Sequence, residues 1–269
     1  MKYLLLNIFF IISCAAYGQE DSSFMLLRTI KGDIADFTVD NLNNIYIISS
    51  KNQLKKLNAD GDSMAIYNDV KKFGQLSYVD VSNPLKTLIY YRDFATIVIL
   101  DRFLNIRNTI DLRKQNIFSV SAISQSYDNK IWLYDEQDNK LKKIDEDGKL
   151  LLETPDFRQL FIERAPAPQR IFDHDRYVYL YDEDRGVFVF DYYGAFKNKI
   201  LITGWQNFKA SGNFIFGSNS NTLHRYEIST YRLDQWKMPG AISQSQSFNF
   251  TSTRLYVLKK GEIEIYSYR

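Results

Sequence analysis

The stretch NKIWLYDEQDNKLKKIDEDGKL, residues 129–150, decides the fold, because residues 43–64 repeat its pattern as NNIYIISSKNQLKKLNADGDSM. Each copy contains an apolar segment, a polar turn, a second segment with apolar residues and a glycine-containing turn. In the later copy that turn contains Asp147 and Gly148. An Asp-Gly pair between two such segments is typical of a tight β-hairpin, because glycine adopts a positive φ without a Cβ clash. Both copies therefore predict short antiparallel strands joined by tight turns.

Four more stretches carry the same pattern. They are LIYYRDFATIVILD (88–101), VYLYDEDRGVFVFD (178–191), FIFGSNSNTLHRYE (214–227) and LYVLKKGEIEIYS (255–267). The polar residue that ends the second strand of each copy recurs every 36 to 46 residues, at Asn58, Asp101, Asp145, Asp191, Glu227 and Ser267. A period of about 42 residues, with four short strands in each unit, is the pattern of a β-propeller.

Six repeats predict an all-β, six-bladed β-propeller with four-stranded blades. The 19 Tyr and 19 Phe residues of the chain also favour strands. The predicted innermost strands lie in DIADFTVD (33–40), LSYVDVS (76–82), FSVSAIS (118–124), PQRIFD (168–173), WQNFKAS (205–211) and SQSFNFT (245–251). Residues 106–112 and 150–153 are predicted outer strands. The sixth repeat lacks an outer strand, and we expect FMLLRTI, residues 24–30, to supply it, because such closure leaves fewer open sheet edges.

The N-terminal stretch MKYLLLNIFFIISCAAYGQE reads as a secretory signal peptide. Lys2 precedes an apolar region that is too short to span a bilayer, and small residues precede an expected cleavage between Gly18 and Gln19. The sequence thus predicts a signal peptide at 1–18 and a single soluble periplasmic domain at 19–269, without a transmembrane segment. Cys14, the only cysteine, leaves open an alternative in which the chain is lipid-anchored at that residue. A disulfide framework is excluded because only one cysteine is present.

Charge and motifs exclude several function classes. The 34 basic and 32 acidic residues are nearly balanced and form no basic stripe, so nucleic-acid binding is not expected. No nucleophile elbow or phosphate-binding glycine loop is present, and the two histidines, His174 and His224, have no partners at metal-ligand spacing. We therefore expect no enzyme activity and no catalytic, cofactor-binding or metal site.

Acidic residues of the predicted innermost strands keep one catalytic alternative open. Asp36, Asp40, Asp80 and Asp173 would line a central channel, with Asp33 and Asp175 beside them. Carboxylates from several blades that met there could hold a cation, as in a metal-dependent, lactonase-like hydrolase, or could bind a small ligand. The other interpretation is that these carboxylates cap turns and accept hydrogen bonds from the blade backbone.

The longest connection between two repeats is TPDFRQLFIERAPAPQR, residues 154–170, which contains three of the five prolines. We name it the insert. One interpretation is a short helix that caps the propeller with its apolar side against the blades. The other is a partner-binding loop, since loops on a rigid scaffold commonly carry binding function. The candidate partner-binding residues are Phe157, Leu160, Phe161, Ile162 and Arg164.

The units NNIYII…QLKKLNADG and NKIWLY…KLKKIDEDG resemble the blades of six-bladed, NHL-like propellers. The N-terminus ending in AAYGQE and the abundance of Asn, Lys, Ile and Tyr resemble exported proteins of Bacteroidota-type bacteria. Among these, the chain is similar to Plug-type subunits, which close the periplasmic opening of the type 9 secretion translocon. This resemblance implies a non-catalytic interaction module whose partner is an outer-membrane or other envelope protein. The shared motifs specify a fold more than a function.

Overall fold

The structure is a computed structural model that describes residues 23–162, 164–243, 245 and 247–268. The predicted cleavage site at Gly18 and Gln19, and Cys14, lie outside the described residues. In chain order the strands are β1 (Phe24–Lys31), β2 (Asp36–Val39), β3 (Ile45–Ile48), β4 (Leu54–Leu57), β5 (Ser63–Tyr67), β6 (Tyr78–Asn83), β7 (Lys86–Tyr91), β8 (Thr96–Asp101), β9 (Ile106–Asp111), β10 (Val120–Gln125), β11 (Ile131–Asp135), β12 (Lys140–Ile144), β13 (Leu150–Glu153), β14 (Arg170–His174), β15 (Tyr177–Asp182), β16 (Gly186–Asp191), β17 (Phe196–Ile200), β18 (Gln206–Ser211), β19 (Phe214–Asn219), β20 (Thr222–Glu227), β21 (Leu233–Lys237), β22 (Ser247–Phe250), β23 (Arg254–Lys259) and β24 (Glu262–Tyr268).

These strands form six antiparallel, four-stranded sheets arranged as blades around a central channel. Blades 1 to 5 each take four consecutive strands, beginning with β2, β6, β10, β14 and β18. Blade 6 has the order β1-β24-β23-β22, so the N-terminal strand is its outer strand. The predicted six-bladed propeller, its innermost strands and its closure by residues 24–30 are all confirmed. One boundary differs: β9 ends at Asp111, because the Asp111 side chain accepts a hydrogen bond from the Arg113 amide at 3.1 Å and starts a 3-10 turn.

The polar residue that marks each of the first four repeats has a common structural role. Asp145 accepts hydrogen bonds from the amides of Asp147 and Lys149 at 3.0 and 2.8 Å, which closes the turn between β12 and β13. The equivalent residues of blades 1, 2 and 4 close their turns in the same way: Asn58, Asp101 and Asp191. Gly148 follows with φ +87°, as the Asp-Gly signal predicts. The sequence period is therefore the period of these side-chain-capped turns.

Side chains that alternate along each strand pack against the two neighbouring blades. In β11, Leu133 lies in an apolar cluster with Leu88 of blade 2, whereas Trp132 lies in a cluster with Phe188 and Phe190 of blade 4. Trp132 and Leu133 are fully buried. Burying one large apolar side chain stabilises a fold by roughly 1.5–3 kcal/mol. The continuous layers between blades therefore form the core.

Short helical turns occupy some of the connections between blades. Three four-residue helices are described: α1 (Val70–Phe73), α2 (Phe157–Leu160) and α3 (Gly240–Ser243). Each connects an outer strand to the next innermost strand. None of the helices in the described part of the chain combines the length and apolar character needed to cross a membrane.

The up-and-down strand order gives the propeller two different faces. One face carries the hairpins between first and second strands and between third and fourth strands, and we name it the hairpin face. Lys86 ties two blades together there through the Asn129 carbonyl at 3.2 Å and Glu146 at 2.9 Å. The opposite face carries the turns between second and third strands and the links between blades. We name it the insert face, because the insert lies there.

Candidate functional site

The insert is fixed to blades 3 and 4 by aromatic packing and hydrogen bonds. Phe157, the first residue of α2, is fully buried and stacks on Phe190 with ring centroids 5.0 Å apart. The Tyr134 hydroxyl donates to the Pro166 carbonyl at 2.9 Å, and the Ser121 hydroxyl donates to the Pro168 carbonyl at 2.6 Å. Both ends of the insert are therefore held on the insert face.

The structure separates the five predicted partner-binding residues into two groups. Phe157 and Phe161 pack on the blades, and Phe161 meets Phe188 edge to face at 5.1 Å. Leu160, Ile162 and Arg164 are exposed, and Ile162 is fully accessible to solvent. Phe157 therefore anchors the insert. Leu160, Ile162 and Arg164 are the candidates that remain available for contact.

A groove of about 820 Å³ lies between the insert and blades 2 and 3. Its base comes from the insert-face ends of the strands, including Tyr78, Tyr90 and Tyr134, and its outer wall comes from the insert. Charged residues surround it, and they are Arg92, Glu136, Arg158, Arg164 and Arg170. We name it the arginine groove.

Two of the four arginines are already paired inside the protein. Arg158 binds both carboxylate oxygens of Asp156, with its Nη2 2.5 Å from Oδ2, and this pairing lowers the pKa of Asp156. Arg92 lies 3.6 Å from Glu136, which also accepts a hydrogen bond from Ser119. Within the described parts of the chain, Arg164 and Arg170 form no ion pair. The arginine groove therefore retains an excess of positive charge.

Tyrosine side chains separate the groove from the interior. Arg170 lies over the ring of Tyr78, with its guanidinium carbon 5.3 Å from the ring centroid, and both residues also line the central channel. Tyr90 is buried, and its hydroxyl makes no hydrogen bond of normal geometry with the described residues. Burial raises the pKa of Tyr90, although the nearby backbone of Val120 opposes the shift. The groove wall thus contains an unused hydroxyl donor.

The central channel encloses a cavity of about 620 Å³ lined by residues of the innermost strands. Asp36, Asp40, Asp80 and Asp173 line it as the sequence indicates, whereas Asp33 and Asp175 do not. Asp33 lies outside and accepts hydrogen bonds from the amide and hydroxyl of Ser50. Four acidic residues from blades 1, 2 and 4 therefore share the channel.

Hydrogen bonds within the blades engage these carboxylates. Asp40 accepts from the amides of Leu42 and Asn44, both at 2.9 Å, and so caps its own hairpin. Asp80 accepts from the Ser82 amide at 2.8 Å and from the Gln125 amide of blade 3 at 2.7 Å. Burial raises the pKa of Asp80. These bonds favour the turn-capping interpretation.

Asp173 has a comparable structural role on the hairpin side of blade 4. Its carboxylate accepts hydrogen bonds from the Ser126 hydroxyl at 2.8 Å, from the Trp132 indole at 3.1 Å and from Tyr192. It thereby joins blade 4 to blade 3. Throughout the described residues, no three His, Cys, Asp or Glu side chains converge where they could hold a metal ion.

The histidines occupy different surroundings. His174 lines the channel at the hairpin end of β14. His224 is buried in β20 and stacks on Trp205 at 4.8 Å between ring centroids. Burial lowers the pKa of His224. The two side chains belong to different blades and different environments, and the structure does not combine them in one site.

Sequence reasoning missed the cation inside the channel. Lys209 donates hydrogen bonds to the Val39 carbonyl and, at 2.6 Å, to Asn249 Oδ1, and no carboxylate of the described residues forms an ion pair with it. Burial lowers its pKa to about 7, against the raising effects of Asp40 and Asp80. Lys209 thus connects blade 5 to blades 6 and 1 across the channel.

A β-bulge positions this lysine. In the pairing of β18 with β19, Gln206 faces Ser218 and Lys209 faces Phe216, so two residues oppose one between them. Asn207, in the bulge, has φ +52°, and its side chain accepts the Phe248 amide and donates to Ser218. Bulges re-aim side chains in this way. A lysine within a predicted innermost strand was the available sequence signal.

The hairpin face carries other exposed apolar residues. In blades 1 to 5 they occur one or two to a blade at hairpin tips: Leu42, Leu85, Phe103, Tyr127, Tyr193 and Tyr231. Single exposed apolar residues are common on protein surfaces and need no partner. On the insert face, the exposed Leu160 and Ile162 belong to the insert that walls the arginine groove.

Comparisons with known proteins identify the fold and leave the family open. No protein-family model matches the sequence, and no curated protein matches it. A virginiamycin B lyase from Staphylococcus aureus is 14% identical, with a TM-score of 0.59, over 91% of this chain and 89% of that chain. The Pan2 WD40 domain of Neurospora crassa is 10% identical, with a TM-score of 0.61, over 91% and 95%. A chain of a mitotic checkpoint complex is 10% identical, with a TM-score of 0.54, over 91% and 96%.

Proposed function

We propose that this protein is a non-catalytic protein-interaction module of the periplasm that docks on an outer-membrane or other envelope protein through its insert face. The observation that carries the proposal is the exposure of Leu160 and Ile162 on an insert that Phe157 anchors. Apolar side chains that are exposed on such an anchored segment are unfavourable in water, and they add nothing to the packing of the core. Such side chains suit a partner that covers them.

The channel offers weaker support for the alternative of a metal-dependent hydrolase. Asp40, Asp80 and Asp173 are occupied by hydrogen bonds that hold hairpins and blades together. One structurally similar protein is a lyase, and another belongs to a multiprotein complex, so the fold accommodates both roles. The proposal therefore rests on the insert and its surroundings.

In its sharpest form, the proposal makes the partner a type 9 secretion translocon whose periplasmic opening this propeller plugs. The resemblance to Plug-type subunits motivates this version. A rigid propeller that presents one apolar, cationic edge could seal an opening without catalysis. The version predicts a near-stoichiometric complex with one large outer-membrane protein.

The test is co-purification with a matched pair of variants. The protein carries a C-terminal tag in the cell that makes it, envelopes are solubilised in mild detergent, and partners are identified by mass spectrometry. Leu160→Asp/Ile162→Asp should reduce recovery of the partner at least about tenfold, because charges would replace the apolar contact. The control, Leu42→Asp/Leu85→Asp, makes the same change on the hairpin face, where both leucines are exposed. A monomer without an envelope partner, or equal recovery with both variants, would contradict the proposal.

A further inference from the structure

We propose that the arginine groove binds an extended acidic segment of a protein partner, with Arg164 and Arg170 as the principal contacts for its carboxylates. This inference deepens the proposed function, since it names the chemistry that the docking partner would present. It rests on the charge of the groove, its shape and the hydrogen-bonding groups of its walls.

The charge of the groove favours an anionic ligand. Arg158 and Arg92 are paired with Asp156 and Glu136, but the guanidinium groups of Arg164 and Arg170 form no ion pair with a described residue. Arg170 is oriented by the ring of Tyr78 beneath it. A planar guanidinium matches a carboxylate in a two-pronged hydrogen bond and is less strongly hydrated than an ammonium. Arg170 donates to the Gln169 carbonyl at 2.8 Å and attracts the Asp36 carboxylate, but neither arginine would have to break an ion pair with a described residue to bind a carboxylate.

The shape of the groove suits a peptide segment. Its volume of about 820 Å³ lies within the range of ligand-binding clefts, and it opens to solvent. Several main-chain groups of its wall are already used, because the carbonyls of Pro166 and Pro168 accept hydrogen bonds from Tyr134 and Ser121. The Ala167 amide donates to Asp182 at 2.8 Å. Strand addition to this wall is therefore disfavoured, and recognition falls to side chains.

One further group in the groove fits the same ligand. The buried hydroxyl of Tyr90 makes no hydrogen bond of normal geometry with the described residues, and leaving a buried hydroxyl without a partner is unfavourable. A carboxylate or carbonyl oxygen of a bound segment would satisfy it. Arginines, a tyrosine hydroxyl and a cleft together make an acidic, extended segment the ligand that this surface fits.

Fluorescence anisotropy with short labelled probes tests the inference on the purified protein. The probes are decaglutamate, decalysine, a glycine-serine decapeptide and oligothymidylate, which is an anion of another chemical class. We expect decaglutamate to bind, decalysine and the neutral peptide not to bind, and the affinity to fall as salt is raised. Arg164→Glu/Arg170→Glu should weaken decaglutamate binding by about tenfold or more.

The matched control is Arg102→Glu/Lys149→Glu, which makes the same change in net charge on the hairpin face, where both side chains are exposed. Equal weakening by both variants would indicate general electrostatic attraction and overturn the inference. No decaglutamate binding at low salt, or tighter binding of oligothymidylate, would also overturn it.

If decaglutamate binds the groove but no envelope partner co-purifies, the proposed function fails while this inference stands. If the partner co-purifies unchanged with Arg164→Glu/Arg170→Glu, this inference fails while the proposed function stands.

Discussion

Lys209 places a cation in the channel without an ion-pair partner among the described residues, and this determines how stability should depend on pH. Its pKa is about 7 in the folded protein because of burial, against about 10.5 when unfolded. Between these values the unfolded chain binds more protons, so the free energy of unfolding rises with pH. The facing carboxylates, Asp40 and Asp80, oppose the effect without cancelling it.

We predict that Lys209→Met removes this rise. From pH 7 to pH 9.5, the free energy of unfolding of the wild type should gain on the order of 1–2 kcal/mol relative to the variant, after allowance for water in the channel. Denaturant titrations at several pH values measure it. The window stops at pH 9.5 because burial raises the pKa of tyrosines such as Tyr181 to about 12, and the stability that such a tyrosine contributes is lost once the unfolded chain ionises at higher pH.

Lys114→Met serves as the control for this prediction, since Lys114 is exposed. It should leave the pH dependence of the wild type unchanged. The loss of the hydrogen bonds to Val39 and Asn249 will also shift the absolute stability of Lys209→Met. Only the slope of the free energy of unfolding against pH therefore decides the outcome. Parallel slopes for Lys209→Met and the wild type would show that the lysine keeps its proton in the channel and would contradict the prediction.

For individual residues, the sequence could predict which side chains face the channel only where the alternation along a strand is regular. Asp36, Asp40 and Asp80 follow that alternation and line the channel as expected. Just before Lys209, the bulge at Asn207 shifts the register of β18 by one residue. A one-residue shift moves a side chain to the other face of a strand. No local sequence signal fixes such a shift in advance, since it depends on contacts with Phe248 and Ser218.

The insert is the element on which the proposed function depends, and a single side chain anchors it. Phe157 is fully buried between Tyr134 and Phe190, with ring centroids 5.6 and 5.0 Å away. Replacing it by alanine removes these contacts and leaves a cavity beneath the insert. The hydrogen bonds to Pro166 and Pro168 would then hold the insert at one end only.

We predict that Phe157→Ala lowers the free energy of unfolding by about 3 kcal/mol and releases the insert. Denaturant titration measures the first effect. Limited digestion with trypsin measures the second, because cleavage after the exposed Arg158 and Arg164 should accelerate before the propeller unfolds. In the control, Leu160→Ala, the side chain is 41% exposed, and both measurements should stay near those of the wild type. If cleavage and global unfolding accelerate equally, the anchoring role is wrong.

Sequence reasoning left two interpretations of the insert, and the structure shows why no pattern could separate them. The apolar residues Phe157, Phe161 and Ile162 look alike in the sequence, yet the first two pack on blade 4 and the third is exposed. Which side chain turns inward depends on the aromatic residues of blade 4, such as Phe188 and Phe190. Those contacts join residues that are about thirty positions apart. The arginine groove arises in the same way, from arginines of the insert and from Arg92, which follows β7.

At the scale of the whole molecule, the fold was predictable because its period is encoded by local chemistry. Asn58 and Asp145 close equivalent turns with equivalent hydrogen bonds, and these residues are the ones that recur in the sequence. The two faces of the propeller follow from the same alternation of hairpins. The arginine groove could not be predicted, since it depends on how one irregular connection, the insert, lies against blades 2 and 3.

Closure of the ring rests on β1, which joins the two ends of the described chain. It pairs with β24 from Phe24 opposite Tyr268 to Lys31 opposite Glu262, and most of its side chains are exposed. Its contribution therefore comes mainly from backbone hydrogen bonds and from covering the edge of β24. Without it, blade 6 would be held to blade 1 mainly by side-chain contacts of the described residues, such as those of Tyr256 and Ile263.

We predict that a protein beginning at Gly32 unfolds roughly 10 °C below one beginning at Ser23, which corresponds to about 3–5 kcal/mol for a chain of this size. It should also associate through the uncovered edge of β24, which light scattering would detect. A synthetic peptide of residues 24–31 should restore both properties by pairing with that edge, whereas a scrambled peptide of the same composition should not. Equal melting temperatures for the two proteins, or equal rescue by the scrambled peptide, would show that packing between blades closes the ring without β1.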